Sequence, residues 1–301
     1  MKPPIFDYVA PTSLDEALAS LADYGEDAKL LAGGQSLVPL LNFRLARPRY
    51  LIDLNGIAAL DYIRADDGGL VIGAMTRQRA LERSPLVRAR CPLVSEAMPW
   101  VGHVQIRNRG TIGGSLAHAD PAAELPAIVS ALDGRLVVRR AGGERVVTPD
   151  EFFVSYLTTS LAPAEMLVEV RLPSWTGPRT GHAFIEVSRR HGDFALVGVA
   201  ALLALDEAGT CTRAAIALTG VGPAPVRSRS AEAALVGARP DPAAFEEAAR
   251  RVRAAVNPPA DIHASADYRR HVSGVLCHRA LEAATARARG MEPPRRGVGT
   301  A

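Results

Sequence analysis

Two short segments of the chain bring together the residue types that bind phosphate. The first is Leu30-Leu31-Ala32-Gly33-Gly34-Gln35-Ser36-Leu37, an apolar run that meets a glycine pair and then regains helical spacing. Glycine admits positive φ, which lets consecutive backbone N–H groups converge on an anion. A helix start adds the positive end of its dipole, and the Ser36 hydroxyl adds another donor. The second segment, Arg109-Gly110-Thr111-Ile112-Gly113-Gly114-Ser115-Leu116, again sets a glycine pair between hydroxyl residues that can donate to phosphate oxygens. Each pair in isolation reads as a tight turn at a strand end. Two within one domain point to a ligand with two phosphates, gripped from both sides. Neither segment is the G-x-x-x-x-G-K-[ST] of a P-loop, and neither is G-x-G-x-x-G with an acid about twenty residues later, so P-loop and Rossmann sites are unsupported.

The remaining reactive residues read more plainly. Cys91, Cys211 and Cys277 are far apart with no C-x-x-C, so zinc or iron–sulfur ligation by this chain alone is disfavoured. Scattered thiols in odd number suit a reducing compartment, and all three are expected to pack as small hydrophobes. His103 and His118 flank the second segment and read as polar surface residues. Arg189, Arg190 and Asp193 read as a structural ion pair, and Trp100 and Trp175 as packing residues. No metal site and no catalytic acid, base or nucleophile is assigned.

The elements that must carry these segments follow from periodicity. Thr12 or Ser13 caps a first helix that ends near Tyr24-Gly25, and Ala28 to Leu31 is a short strand. Gln35 to Leu45 is predicted helical up to Pro48. Tyr50 to Leu54 and Gly69 to Gly73 read as strands, Arg77 to Arg83 and Leu86 to Gly102 as helices. Ala122 to Leu132 is then helical, with strands around Leu136 to Arg139 and Met166 to Leu172. The breaker cluster Pro173-Ser174-Trp175-Thr176-Gly177-Pro178 marks a domain boundary. Beyond it, strands at Ala183 to Ser188, Leu196 to Leu205 and Cys211 to Thr219 precede helices near Ser230 to Val236, Pro242 to Val256 and Ala266 to Arg289. A small sheet covered by helices is the simplest arrangement. The tail from Gly290 is polar and rich in breakers, and is expected to be disordered.

With 301 residues, 48% hydrophobic and 22% charged, the chain has the composition of an ordinary globular protein of about two domains. The most apolar run, Ala195 to Leu205, is too short to span a bilayer, and the N-terminus carries no apolar signal segment. A cytoplasmic location is expected. The net charge is +3, and of the 35 basic residues all but Lys2 and Lys29 are arginine. In the arginine-rich stretch from Val226 to Gly290 the charge signs are interspersed, which reads as a solvated helical face or a protein-partner surface and not as a nucleic-acid footprint.

The run Ala32-Gly33-Gly34-Gln35-Ser36-Leu37 followed by Pro39 and Arg44, together with Gln105-Ile106-Arg107-Asn108-Arg109-Gly110-Thr111-Ile112-Gly113-Gly114, closely resembles the FAD-binding medium subunit of molybdenum hydroxylases of the carbon monoxide dehydrogenase and xanthine dehydrogenase type. The likeness continues through Leu167-Val168-Glu169-Val170-Arg171-Leu172-Pro173, Arg189-Arg190-His191-Gly192-Asp193-Phe194-Ala195 and Ala266-Asp267-Tyr268-Arg269-Arg270, and covers nearly the whole chain. It implies an α+β fold: a two-part FAD-binding domain of the vanillyl-alcohol-oxidase (PCMH) type over residues 1–177, with a small part to about residue 55. A C-terminal flavoprotein domain over 178–289, a small antiparallel sheet plus helices, follows it, and then the tail 290–301. By position, the resemblance implies that Ala32, Gly33, Gly34, Gln35 and Ser36 hold the pyrophosphate with Thr111, Ile112, Gly113, Gly114 and Ser115, and that Leu37 is also a cofactor-binding residue. Ile106, Gly110 and Leu167 line the flavin or adenine, and Glu124 stands where the family places an acid near the cofactor. The family carries Asp or Asn where this chain has Ser115 and Asp where it has Glu124; Glu186, where some relatives carry Lys, receives no role.

The resemblance further implies noncovalent FAD, with the molybdenum cofactor and the [2Fe–2S] clusters held by a large and a small partner subunit, the three chains forming a dimer of heterotrimers. Substrate is oxidised at molybdenum, and electrons pass through the clusters to FAD and on to NAD+, a quinone or oxygen. Two other readings stay open: a free-standing FAD-dependent oxidoreductase that meets its substrate directly, and a nonenzymatic nucleotide-binding module.

Overall fold

The computed structural model describes residues 2–293, and residues 294–301 of the expected tail lie outside them. Near the N-terminus a three-stranded parallel sheet runs in the order Asp7–Val9, Tyr50–Asp53, Ala28–Leu31. The helix Leu14–Tyr24 begins with a capping box: the Ser13 hydroxyl accepts the Glu16 N–H at 3.2 Å, and the Glu16 carboxylate accepts the N–H groups of Thr12 and Ser13 at 2.8 and 3.3 Å. Its buried face, Ala17, Leu18 and Leu21, packs on Ile52, Leu54, Ile57 and Leu60. Val137, Met166 and Val168 of the neighbouring sheet, with Met75 just beyond one of its strands, complete that core, so the two layers share one apolar seam.

That neighbouring sheet is antiparallel and five-stranded, ordered Ile63–Asp66, Gly69–Gly73, Met166–Pro173, Arg135–Arg140, Gly143–Val147. The helices Gln78–Arg83, Pro85–Arg90, Pro92–Ala97 and Glu124–Ala131 supply much of the apolar core beside it. The expected single helix from Leu86 to Gly102 is in fact two helices and a 3-10 turn at Met98–Trp100. Pro92 supplies no N–H, and it forces Cys91 out of the helical region to φ −138, ψ 65. The edge strands Ile63–Asp66 and Gly143–Val147 escaped the sequence reading because little of either is buried, leaving no clean apolar alternation.

After the strand ending at Pro173, a four-stranded antiparallel sheet runs Thr180–Val187, Val197–Leu205, Cys211–Thr219, Val226–Arg227. Both its faces are covered, which is why Val197–Leu205 is an unbroken apolar run. Val199, Ala201, Leu203, Ile216 and Leu218 meet the helices Arg229–Leu235, Pro242–Ala255 and Ala266–Ala288. Phe184, Ala200, Leu202, Ala215 and Ala217 face the other way, into the core built on Pro92–Ala97 and Glu124–Ala131. The three cysteines pack as expected: all are buried and free, and burial pushes the Cys91 and Cys277 thiols up to about 12. Among the described residues no helix is long and apolar enough to cross a membrane.

Candidate functional site

The two glycine segments, far apart in sequence, touch each other. Ala28–Leu31 delivers the first at a sheet end, and the helix Val104–Arg109 delivers the second. They meet at Gly33, where a Cβ atom would stand 2.4 Å from the Arg109 carbonyl oxygen and 2.7 Å from Gly110 Cα. Only a hydrogen fits there, so the approach depends on glycine for space. One residue on, Gly34 has φ +74, the left-handed turn that swings the chain into the helix Leu37–Asn42. That helix is shorter than the predicted Gln35 to Leu45, since the Gly34 turn delays its start and Arg44, at φ 58, stops it.

The turn leaves donors unclaimed. Among the described residues no acceptor serves the N–H groups of Gly34, Gln35, Ser36 and Leu37, and the Ser36 hydroxyl makes no cap bond. The Gly33 carbonyl accepts from Gln35 Nε2 at 2.9 Å, so that oxygen is engaged within the turn itself. Gln35 thus shapes the turn through its side chain.

The second segment is built differently from the first. Gly113 and Gly114 do not sit in a positive-φ turn; they lie in the first turn of the helix Ile112–His118, capped by Thr111. Its N–H groups are already taken: Ile112 by the Thr76 carbonyl at 3.1 Å, Gly113 by the Ala74 carbonyl at 2.8 Å, Gly114 by Thr111 Oγ1 at 3.0 Å and Ser115 by the Thr111 carbonyl at 3.2 Å. Gly113 is there because a Cβ would stand 2.5 Å from that of Ala74. What this segment keeps is hydroxyl: the half-buried Ser115 side chain, and the Thr111 proton on an almost fully buried oxygen that already caps Gly114. Gly114 lies beside Ala32, 3.3 Å from a would-be Cβ to the Ala32 Cβ, so these hydroxyls share a seam with the first segment.

The other residues singled out from sequence spread around this seam. Ile106 is 38% exposed on the helix leading into the second segment. Leu167 is buried in the core of the five-stranded sheet, paired with Val138, in the same apolar cluster as Ile112 and Leu116 of the second segment, and presents almost no exposed surface. Its strand supports that segment in relay: the Val168 carbonyl accepts the Ala74 N–H at 2.9 Å, and Ala74 in turn holds Gly113. Glu124 opens the helix Glu124–Ala131 and is buried, and its neighbour across the seam is Glu186 of the C-terminal sheet. Burial holds both carboxyls well above the usual carboxylate range, with the charge of Asp120 adding to the rise at Glu124 and that of Glu124 adding to the rise at Glu186, and one Glu186 oxygen has no hydrogen-bond partner.

Arg107, in the same helix as Ile106, is buried and fixed on all sides: Nε on Glu82 at 3.0 Å, and Nη1 on the carbonyls of Val101 and Gly102 at 3.1 and 2.8 Å. His118 is half-buried at the end of its helix, and burial lowers its pKa. The expected ion pair of Arg189 or Arg190 with Asp193 does not form. Asp193 closes a turn through its backbone N–H to the Arg190 carbonyl, and Arg189 reaches across to His263 Nδ1 at 2.9 Å. Sequence reasoning missed the polar residues beside the glycine segments, Tyr8, Asp53, Asn55 and Arg77, because no motif or spacing marks them. Among the described residues no three His, Cys, Asp or Glu side chains gather as metal ligands would.

Residues 4–175 match the family described as the FAD binding domain in molybdopterin dehydrogenase, and residues 182–284 match the CO dehydrogenase flavoprotein C-terminal domain. The chain belongs to the FAD-binding medium subunits of the molybdenum hydroxylases. It is 46% identical to the 6-hydroxypseudooxynicotine dehydrogenase complex subunit alpha of Paenarthrobacter nicotinovorans, over 96% of this chain and 97% of the relative. It is 40% identical to the carbon monoxide dehydrogenase medium chain of Hydrogenophaga pseudoflava, over 95% and 99%. Among solved structures, quinoline 2-oxidoreductase from Pseudomonas putida 86 superposes with a TM-score of 0.90 at 38% identity, over 96% of this medium subunit and 99% of that chain. The family, the α+β fold and the oxidoreductase class expected from sequence all stand.

Proposed function

We propose that this medium subunit is the electron-transfer module of a heteromeric molybdenum hydroxylase. It takes electrons from the [2Fe–2S] clusters of a small partner subunit and passes them to an external acceptor, NAD+, a quinone or oxygen, while substrate is oxidised at the molybdenum of a large subunit. The observation that carries this reading is the packing of Gly33 on Arg109 and Gly110, which brings the segment with four unclaimed N–H groups against the segment that carries the Thr111 and Ser115 hydroxyls. That donor set fits a dinucleotide pyrophosphate: Gly34, Gln35, Ser36 and Leu37 supply backbone donors, and Thr111 and Ser115 supply hydroxyls. Bound FAD would supply redox chemistry that can exchange single electrons with the clusters and pairs with the acceptor.

The chain's own residues bind and orient. Ile106 offers an exposed apolar surface beside the second segment for a ring system, and Leu167 supports that segment from the core it shares with Ile112 and Leu116. Burial raises Glu124 to about 7, so its protonated form is accessible near neutral pH and can donate a hydrogen bond where an ionised carboxylate would only accept one. Relatives with different named substrates align over nearly the whole chain, which supports placing substrate choice in the large subunit. We place the assembly, a dimer of heterotrimers, in the cytoplasm, where thiols such as Cys91, Cys211 and Cys277 stay reduced.

The test is an absorption spectrum of the complex formed with its partner subunits, followed by acid release of the chromophore. FAD on release, with cluster absorption appearing only when the small subunit is present, is the expected result. A complex that releases no flavin overturns the reading.

A further inference from the structure

Beside the point where the two glycine segments touch lies a polar network that belongs to neither. Asn55 follows the strand Tyr50–Asp53, and its Nδ2 donates to the Ala32 carbonyl at 2.9 Å, at the entrance to the first segment. Its Oδ1 accepts from Arg77 Nη2 at 2.6 Å. Arg77 Nη1 donates to the Arg109 carbonyl, the very oxygen against which Gly33 is packed. Asp53 holds Asn55 from behind through its N–H at 2.9 Å and through Nδ2, and Tyr8 donates its hydroxyl to the other Asp53 oxygen at 2.5 Å. The backbone around Arg77 is stitched to the second segment as well, Gln78 N–H to the Gly110 carbonyl at 2.9 Å and Ile112 N–H to the Thr76 carbonyl at 3.1 Å.

We propose that Asn55 and Arg77 form a clamp that sets the separation of the two glycine segments, and so act as positioning residues for the dinucleotide; this rests on the FAD reading above. Arg77 suits the task because a planar guanidinium donates in two fixed directions at once, so Asn55 Oδ1 and the Arg109 carbonyl are held at one spacing. Asn55 suits it because a carboxamide both donates and accepts, passing the constraint on to Ala32. Neither residue belongs to an apolar core: Asn55 is exposed, and Arg77 is half-buried and makes no side-chain cap for the helix it precedes. Global stability therefore rests on Ile52, Leu54 and Ile57 and not on the clamp.

The experiment uses the full chain assembled with its partner subunits, stripped of flavin and titrated with FAD, in four forms: native, Asn55→Ala, Arg77→Lys and the double variant. Lysine keeps the charge and the stem and removes only the fork. Each single variant is expected to raise the Kd for FAD about tenfold or more and to alter the visible circular dichroism of the bound flavin. The double variant should be no weaker than the worse single one, because both cut the same link. The melting temperature of the flavin-free protein should shift by less than about 2 °C. If Asn55→Ala yields no folded protein, Asn55→Asp takes its place, since it keeps the acceptor for Arg77 and loses the donor to Ala32. Native protein that binds FAD, with single variants that bind it within about twofold or a double variant whose losses fully add, overturns the clamp alone. Native protein that binds no FAD overturns the functional reading and the clamp with it.

Discussion

Replacing Gly33 by alanine tests whether contact between the two segments makes the site. The new Cβ would fall 2.4 Å from the Arg109 carbonyl oxygen, 2.7 Å from Gly110 Cα and 2.9 Å from the Arg109 carbonyl carbon, all backbone atoms that cannot rotate aside. To reach ordinary contact the segments must part by about 1 Å. A hydrogen bond near 2.9 Å does not survive that displacement. Losing one charge-assisted bond to a phosphate weakens binding by about 1.5–3 kcal/mol, roughly 10- to 150-fold in Kd. Overpacking itself destabilises the flavin-free protein by about 1–3 kcal/mol. Gly142→Ala is the control: it sits at φ +72 with nothing within 4 Å of a Cβ, so it costs about 1–2 kcal/mol of backbone strain and leaves FAD affinity unchanged. FAD titration by flavin fluorescence and urea unfolding of the flavin-free protein read the two effects separately. A Gly33→Ala protein with native FAD affinity and native stability would refute the reasoning.

Two further expectations concern buried charge. Arg107→Met should destabilise the chain by about 3–5 kcal/mol in urea unfolding, because it strips the Val101 and Gly102 carbonyls of their donor and leaves Glu82 with Arg79 alone; a loss below about 1 kcal/mol would show that water replaces the guanidinium. Glu186 and Glu124 are held above the ordinary carboxylate range, so the folded state binds more protons than the unfolded state from about pH 4.5 up to the raised value near 9. Stability should therefore fall as pH climbs through that window, and Glu186→Gln should flatten the slope and stabilise the chain at pH 8 by about 1–3 kcal/mol. Urea midpoints taken across the window decide it, and a Gln variant whose midpoint falls in parallel with the native one would be inconsistent with an unpaired buried Glu186.

Much of the architecture is written locally. The capping box at Ser13 and Glu16, the unbroken apolar run Val197–Leu205 and the cap at Asp241 before Pro242–Ala255 are short-range patterns. The same holds for the glycine pairs Gly33-Gly34 and Gly113-Gly114, which are read from residue type alone. What escaped the sequence depends on where distant backbone ends up. Nothing in Gly113-Gly114 says that the pair is helical and that its N–H groups are spent on Ala74 and Thr111, because the Ala74 carbonyl arrives only once Gly69–Gly73 has paired with Met166–Pro173. Gly33 opposes Arg109 and Glu124 meets Glu186 for the same reason, and the Asn55 and Arg77 link exists only after both segments are in place. Periodicity and capping act between residues three or four positions apart and survive in the bare sequence. Carbonyl partners, hydrogen-sized clearances and buried like charges are set by the path of the whole chain, and only the tertiary structure decides them.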